Sequence, residues 1–356
     1  MKFHTQEVQT RGRGMIMLVG DPGAGKTLTA STAPAPIFID VEDRASHTGC
    51  PRAVPSTHDH NGYREIVQFI KMLKGLIPDK DGFCHVNMGD EVVKAKTVIL
   101  DTVDHLQMIY WTAKSDNWNK LGSYGDMKDE FVKDLLLPLL SISMNVIVVC
   151  HAKRIAEGEE HERKKGEKAR IPTLGLSLAG SIRDILPGYF DNIIYLINDS
   201  QTGTSKIITN KGIHDNTFIP AKDTLNVFKG ATFPVTFENG KPVRVMREVF
   251  DMIDTSRVEA QRLDATIKRV KKEWMEKAKE VGLMENPQSP SEMAEFKNVL
   301  GDLLVQIDTE PDVAGPAGLE LISAWTPETA VETAVETAVE TADEQPKKRA
   351  TKLKPR

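Results

Sequence analysis

Residues 15–27 read MIMLVGDPGAGKT, and this stretch decides the fold. The apolar run 15–19 has the length of a buried strand and ends at Gly20. The eight residues from Gly20 to Thr27 match the pattern G-x-x-x-x-G-K-[ST] at every fixed position. Glycines in such a loop let successive backbone N–H groups approach phosphate oxygens closely. The sequence therefore predicts a phosphate-binding loop between a strand and a helix.

The individual residues of this loop have expected roles in binding a nucleotide. Lys26 should reach the β- and γ-phosphates, and Thr27 should ligate Mg²⁺. The helix that follows adds the partial positive charge of its N-terminus. The sequence thus predicts a P-loop NTPase that uses ATP and Mg²⁺. Its predicted nucleotide-binding residues are Gly20, Asp21, Pro22, Gly23, Ala24, Gly25, Lys26, Thr27 and Leu28.

Two other apolar runs end in acidic residues that such a site needs. Residues 97–100 precede Asp101, which we expect to hold the Mg²⁺ shell, with Asp104 as the nearest competitor. Residues 37–40 precede Glu42. A carboxylate just beyond a strand beside the P-loop strand can deprotonate a water aimed at the γ-phosphate. Glu42 is therefore the candidate base, and the alternative is that the acids here are solvated loop residues.

A further apolar run, residues 146–150, is followed by His151 and then by a charged segment. A polar side chain at the tip of this strand could sense the γ-phosphate. The alternative is a surface histidine beside a solvated basic turn. The charged segment lacks apolar anchors, and its basic residues are Lys153, Arg154, Arg163, Lys164, Lys165, Lys168 and Arg170.

The chain divides into three parts by pattern. Strands alternate with helices over residues 15–200, which predicts an α/β core with a mostly parallel, doubly wound sheet. Residues 206–209 and the segment up to Pro220 predict a terminal antiparallel pair. The expected parts are a core over 1–245, a helical C-terminal region over 246–310 and a tail over 311–356. The tail contains ETAVETAVETAVETA and a basic terminus, and such low complexity predicts disorder.

Composition restricts the class of protein. The chain of 356 residues has a net charge of −5, so it is not a polycation built to coat nucleic acid, although a local basic patch remains compatible. Three cysteines without a CxxC pair fit a reducing compartment. No apolar stretch approaches the ~18 residues that a membrane span needs. We therefore expect no membrane association and a cytoplasmic location, in the host cell if the protein is phage-encoded.

Three segments resemble RecA. The sequence IFIDVED at 37–43 resembles the RecA segment in which the acid matching Glu42 is the catalytic glutamate. Residues 145–154 resemble the RecA strand that ends in a γ-phosphate-sensing residue and opens into the DNA-binding loop. This maps His151 onto the sensor, where RecA has a glutamine. Residues 206–222, KIITNKGIHDNTFIPAK, resemble a hairpin whose lysines act across the subunit interface, and Lys211 is the best match.

Over roughly residues 12–225, the order of segments TVILDTVDHL, YGDMKDEF, VIVVCHAKR and FDNIIYL is similar to the phage RecA-like ATPases of the Sak-four group. Members of that group are small recombinases that work with single-strand-binding protein. The resemblance implies a RecA-like core in a homo-oligomer, with ATP hydrolysed at the subunit interface. It also implies that residues 153–170 contact single-stranded DNA during annealing or strand exchange, and that DNA stimulates the ATPase.

Two other functions share the P-loop. One is a regulatory or loader NTPase that acts through a protein partner of its helical C-terminal region, without direct DNA activity. The other is a small-molecule kinase. Glu42 argues against the kinase, because phosphoryl transfer to a bound hydroxyl does not need a water-activating acid at this position. Stimulation of the ATPase by single-stranded DNA would favour the recombination function over both.

Overall fold

The computed structural model of the protein describes residues 13–114, 124–155, 171–198, 204–224, 226–238, 241–243, 245–284 and 289–325. The chain forms two compact units, residues 1–257 and residues 258–356. The division falls inside a long helix, 12 residues after the expected core boundary at 245. Among the described helices, none is long and apolar enough to cross a membrane.

The first unit is built on strands that alternate with helices. The strands are β1 (Met15–Gly20), β2 (Pro36–Asp40), β3 (Arg52–Ala53), β4 (Cys84–Met88), β5 (Glu91–Ala95), β6 (Thr97–Asp101), β7 (Asn145–Ile155), β8 (Thr173–Leu176), β9 (Asn192–Asn198), β10 (Ser205–Ile208), β11 (Gly212–His214), β12 (Thr217–Ile219), β13 (Lys222–Asp223), β14 (Thr232–Val235), β15 (Phe237–Glu238) and β16 (Lys241–Pro242).

The helices of this unit cover both faces of the sheet. They are α1 (Lys26–Ala30), α2 (His60–Lys74), α3 (Val103–Lys114), α4 (Tyr124–Phe131), α5 (Leu137–Leu139), α6 (Ile182–Ile185) and the start of α7 (Val245–Glu280). A π-helical turn (Val132–Leu136) joins α4 to α5, and 3₁₀ turns cover Ala45–Thr48 and Leu186–Tyr189.

The P-loop strand β1 lies in the middle of the sheet. It pairs in parallel with β7 on one side and β9 on the other. Beyond β7 come β6, then β2, then β3, all parallel. The predicted mostly parallel α/β sheet is confirmed. In this order β7 separates β1 from β6, the strand that ends in Asp101.

Both faces of the central strands are buried. On β1, Met17 and Val19 pack with the helices α2 and α3, whereas Ile16 and Leu18 pack on the opposite face with Phe250 of α7. A strand that is covered on both faces has no polar alternation. This explains why residues 15–19 form a continuous apolar run.

The strand β7 is longer than the sequence predicts. It does not end at Cys150 but continues to Ile155, and its residues 152–155 pair antiparallel with β8. We call this pair of segments, 152–155 and 173–176, the β7–β8 arm. The predicted DNA-contacting segment continues from the arm into residues 156–170, which lie outside the described residues. Within the arm, Ile155 and Thr173 are paired across the two strands.

The predicted antiparallel pairing of 206–209 with the segment up to Pro220 is wrong. Strand β10 pairs instead with β9 and β14, and the next segment folds into its own hairpin, β11–β12, which pairs with β8. The hairpin closes through Asp215 and Asn216, which both have positive φ. Two such residues form the turn that matches the twist of a two-residue hairpin. The local turn thus determines the partner of β11.

The second unit is a helical core around Trp274. Its described helices are the later part of α7 and α8 (Pro290–Leu300), α9 (Leu303–Gln306) and α10 (Pro311–Ala324). Trp274 is fully buried and donates from Nε1 to the carbonyl of Gly315 at 2.9 Å. A Cβ on Gly318 would lie 2.3 Å from the Trp274 ring. Helix α10 lies inside the segment 311–356 for which the sequence predicts a tail, and residues 326–356 are outside the described part.

Candidate active site

The phosphate-binding loop has the backbone that its glycines permit. Gly23 and Gly25 have φ of 77° and 88°, in the left-handed region that favours glycine. A Cβ on Gly20 would lie 2.6 Å from the carbonyl oxygen of Leu196 on β9, so β1 can end there only with a glycine. The loop closes with a backbone hydrogen bond from Ala24 to Asp21, and α1 begins at Lys26.

Lys26 is buried at the mouth of this loop. Its Nζ donates to the carbonyl of Asp21 at 2.9 Å. Burial lowers the pKa of Lys26, while the nearby carboxylates of Asp101 and Asp104 oppose that shift. A desolvated ammonium group is stabilised by an anion placed beside it. The geometry therefore suits a phosphate group at this position.

Thr27 and Asp101 form a pair of oxygen ligands. The Thr27 hydroxyl donates to Oδ2 of Asp101 at 2.7 Å. The other oxygen, Oδ1, is buried and has no hydrogen-bond partner among the described residues. Burial raises the pKa of Asp101 to about 6, with the Thr27 hydrogen bond opposing and Glu42 and Asp40 adding to the rise. An unpartnered carboxylate oxygen beside a hydroxyl fits a hard cation such as Mg²⁺. Asp104, the competitor for this role, binds His151 instead of Thr27.

Glu42 is held against the residue that follows Asp101. Thr102 donates its hydroxyl to Oε1 of Glu42 at 2.8 Å, and Arg44 pairs with Oε2 at 3.2 Å. The side chain of Glu42 is only 13% exposed. The structure thus places this carboxylate beside the Asp101 strand end, although the two lie far apart in sequence.

Asp40 organises the backbone around Glu42. Its buried carboxylate accepts from the backbone N–H of Arg44 at 3.0 Å and of Ala45 at 2.8 Å, and it pairs with Arg52 at 3.0 Å. These contacts fix the chain directly after Glu42. Local sequence does not predict this role, because a buried acid and a loop acid have the same local pattern.

His151 is bound twice by Asp104. The ring Nδ1 lies 2.7 Å from Oδ2 of Asp104, and the backbone N–H of His151 donates to Oδ1 at 3.1 Å. Burial alone would raise the pKa of Asp104, but these two hydrogen bonds outweigh it and hold the pKa below its ordinary value. In the sheet, His151 pairs with Gly20, so the histidine lies level with the start of the P-loop.

Glu42, Asp104 and His151 approach one another closely. One possible ligand atom from each lies within 4.8 Å of the other two. Such a group could bind a metal ion, but each of the three side chains already has hydrogen-bond partners. Asp104 binds His151, whereas Glu42 binds Thr102 and Arg44, so we describe them as neighbouring groups with separate partners.

The helix that carries Asp104 was missed by the sequence analysis. Helix α3 begins two residues after Asp101, and its apolar residues Val103, Leu106 and Tyr110 recur at helical spacing. One turn after Asp104, Gln107 exchanges two hydrogen bonds of 3.0 Å with the backbone of Ala179. The spacing could have revealed the helix, but not the partners of its polar residues.

A cavity of about 500 Å³ adjoins helix α1. It begins at Leu28, the last of the predicted nucleotide-binding residues. Its other lining residues are Ser31, Thr32, Ala33, Ala35, Pro36, His47, Thr48, Pro242 and Arg247.

Lys211 lies apart from these groups. It is exposed, in the short link between β10 and β11, before the hairpin on which the sequence placed it. Among the described residues, no hydrogen bond or ion pair joins it to Thr27, Glu42, Asp101 or His151.

Comparison with known proteins identifies the core. A family model described as "AAA domain" matches residues 13–225. A KaiC-like protein from Pyrococcus horikoshii OT3 has 12% identity and a TM-score of 0.32, covering 65% of this chain and 88% of that chain. The RadB recombinase has 13% identity and a TM-score of 0.33, covering 65% of this chain and 90% of that chain. None of the curated proteins compared with the chain matches it.

We expect Asp101→Asn to raise the thermal midpoint of the protein at pH 8, without metal or nucleotide, by about 2–5 °C. The folded pKa of about 6 exceeds the ordinary 3.8, so the ionised carboxylate destabilises the folded state above pH 6. Asparagine is neutral and still accepts from Thr27. The gain should shrink at pH 5, where Asp101 is mostly protonated.

The measurement is thermal unfolding followed by circular dichroism at both pH values. The control is Asp81→Asn, which changes an exposed acid outside the site and should leave the midpoint unchanged. An Asp101→Asn midpoint equal to or below that of the wild type at pH 8 would contradict the prediction.

Proposed function

Because the chain belongs to the AAA domain family and its core is a RecA-like P-loop fold, we propose that it binds ATP with Mg²⁺, hydrolyses ATP and acts on single-stranded DNA. One observation carries the enzymatic part. Lys26, the Thr27–Asp101 pair and the held carboxylate of Glu42 meet at one edge of the sheet. These are a phosphate cation, a metal-ligand pair and a candidate base.

The roles follow from the chemistry of each group. Lys26 would bind the β- and γ-phosphates, and Thr27 and Asp101 would hold Mg²⁺, which when bound neutralises phosphate charge. The oxygen of a water forms a bond to the γ-phosphorus as the bond to the leaving ADP oxygen breaks. Glu42 would accept the proton that this water loses. His151 would lie near the γ-phosphate, where it could respond to the nucleotide state.

The DNA-binding part of the proposal depends on the β7–β8 arm. Lys153 and Arg154 are exposed on it, two and three residues after His151. The remaining basic residues of the expected DNA segment lie in 156–170, outside the described residues. An arm that starts at the nucleotide site would let ATP state alter DNA contact.

We infer a phage recombination ATPase of the Sak-four type, acting in annealing or strand exchange in the host cytoplasm, with single-strand-binding protein as a partner. The support is the order of segments over residues 12–225 and the basic residues of the arm. A homo-oligomer with ATP at the subunit interface would complete the site.

A second candidate is a regulatory or loader NTPase without direct DNA activity. It is favoured by the second unit, which begins at residue 258 and whose described helices could bind a protein partner. A small-molecule kinase is disfavoured by the position of Glu42. The ATPase rate measured with and without single-stranded DNA separates these functions, because only the recombination function predicts stimulation.

We expect Lys26→Ala to lose ATP binding and Glu42→Gln to retain it. Lys26 is the only lysine in the P-loop, whereas Glu42 is placed to accept a proton and not to hold phosphate. Removing a general base should reduce kcat by about 10²-fold or more. Fluorescent-nucleotide titration and phosphate release measure the two properties. An unchanged kcat in Glu42→Gln would remove Glu42 from the mechanism, and near-normal ATP affinity in Lys26→Ala would refute the P-loop assignment.

The double variant Lys153→Ala, Arg154→Ala should bind single-stranded DNA more weakly. Losing two phosphate contacts should make the slope of log K against log salt less steep by about 1–1.5. The matched control is Lys71→Ala, Lys74→Ala, which removes two exposed cations from α2. Fluorescence anisotropy over a salt series measures both. Equal effects of the two pairs would show that the arm has no special role.

Lys211 is proposed to act on the ATP site of a neighbouring subunit. A cation there would stabilise charge on the γ-phosphate, so Lys211→Ala should lower kcat by about 10²-fold or more with little loss of ATP binding. An equal mixture of Lys26→Ala and Lys211→Ala subunits should regain activity, because about a quarter of the interfaces would be intact. Absence of recovery in demonstrably mixed assemblies would exclude action across the interface.

A further inference from the structure

The contact between Asp104 and His151 is more specific than a surface ion pair. Both oxygens of the carboxylate bind the same residue, one at the ring Nδ1 (2.7 Å) and one at the backbone N–H (3.1 Å). The Asp104 and His151 side chains are 17% and 21% exposed. Because Asp104 binds both the ring and the backbone of His151, the orientation of the ring is fixed.

The charge of Asp104 determines which ring nitrogen carries the proton. The pKa of this carboxyl lies below its ordinary value, so the group is ionised at neutral pH and can only accept hydrogen bonds. Nδ1 of His151 must therefore be the donor. In the neutral imidazole, Nε2 is then left with a lone pair and no proton.

The carboxylate of Glu42 lies close to the His151 ring. A ring nitrogen of His151 and a carboxylate oxygen of Glu42 lie within 4.8 Å of each other. One water that donates hydrogen bonds of about 2.8 Å to two acceptors spans about 4.5–5 Å at its own bond angle. Glu42 already accepts from Thr102 and Arg44, but a carboxylate has about four lone-pair sites and can accept a further bond.

We propose that Asp104 is a positioning residue for hydrolysis, which fixes His151 so that Nε2 accepts a hydrogen bond from the attacking water while Glu42 accepts the other. This inference rests on the proposed ATPase function and deepens it. As the water oxygen bonds to the γ-phosphorus, its proton moves to Glu42 and the bond to ADP breaks. His151 orients the water and gains no net proton.

This role differs from that of an N–H donor to phosphate. When Nδ1–H of a neutral His151 donates its hydrogen bond to Asp104, the ring has no other N–H for a phosphate oxygen. His151 would therefore respond to the γ-phosphate only through the water held between it and Glu42. Nε2 of a neutral histidine can accept a hydrogen bond only when the proton is on Nδ1. Asp104 holds the proton of His151 there by accepting from Nδ1–H.

The test replaces Asp104 with asparagine. In Asp104→Asn the side-chain oxygen can still accept from the backbone N–H of His151, but the amide nitrogen must donate to Nδ1. The ring should therefore change to the Nε2–H tautomer, as a carboxylate-to-amide change does elsewhere. Long-range ¹H–¹⁵N spectra of the full chain with ¹⁵N-labelled histidine report the tautomer. The signal of His151 among nine histidines is identified by its loss in His151→Gln.

Kinetics test the consequence of this change. Asp104→Asn should lower kcat by about 10²-fold, because Nε2 no longer accepts from the water. The KM for ATP should change by less than about threefold, since no phosphate contact is lost. The matched control is Gln107→Ala, which removes two hydrogen bonds from the same helix to Ala179 and should retain the wild-type tautomer of His151.

The outcomes separate this proposal from the proposed function. An Nδ1–H tautomer that persists in Asp104→Asn, or a tautomer change that leaves kcat within about threefold, would overturn the positioning role. The same tautomer change in Gln107→Ala would attribute it to general loosening of helix α3 and would also overturn it. A wild-type protein that binds ATP but never hydrolyses it would refute the proposed function and the role in hydrolysis, while the spectra would still report whether Asp104 fixes the ring.

Discussion

The parallel pairing of β2, β6, β7 and β1 is the constraint on which the site depends. Parallel strands bring their carboxyl ends to the same edge of a sheet, and ligands bind there in open α/β folds. The register makes this concrete, because Gly20 pairs with His151, Asp101 with Val149 and Asp40 with Asp101. Side chains of the site that are 47 to 74 residues apart in sequence therefore meet within hydrogen-bonding distance.

The acidic side chains at this edge would repel one another if none of them had a hydrogen-bond or ion-pair partner. Each instead has its own partners: Asp40 has backbone N–H groups and Arg52, Glu42 has Thr102 and Arg44, and Asp104 has His151. Asp101 differs, because one of its buried oxygens lacks a partner among the described residues. Its raised pKa has the same origin. The distribution of partners thus distinguishes the oxygen suited to a cation from the acids that shape the loop.

The junction at His151 connects the nucleotide site to the arm. Up to this residue β7 belongs to the parallel sheet, and beyond it the strand pairs only with β8. The carbonyl of His151 accepts from Ser177, and Gln107 holds Ala179 two residues further on. Helix α3 therefore contacts residues that flank both strands of the arm at its base, His151 through Asp104 and Ala179 through Gln107. Movement of the helix that follows Asp101 would act on both strands together.

The sequence by itself determined the parts whose physics is local. The glycines of residues 20–25 require positive φ and close backbone approach, and the continuous apolar runs require strands buried on both faces. The tertiary structure alone decided the order of the strands, the pairing of Asp104 with His151, the role of Asp40 and the separate hairpin β11–β12. It also placed α10 on Trp274, where a short apolar helix with two glycines completes a core. Periodicity shows which face of an element is buried, but partners distant in sequence are selected by register and packing, which no local pattern contains.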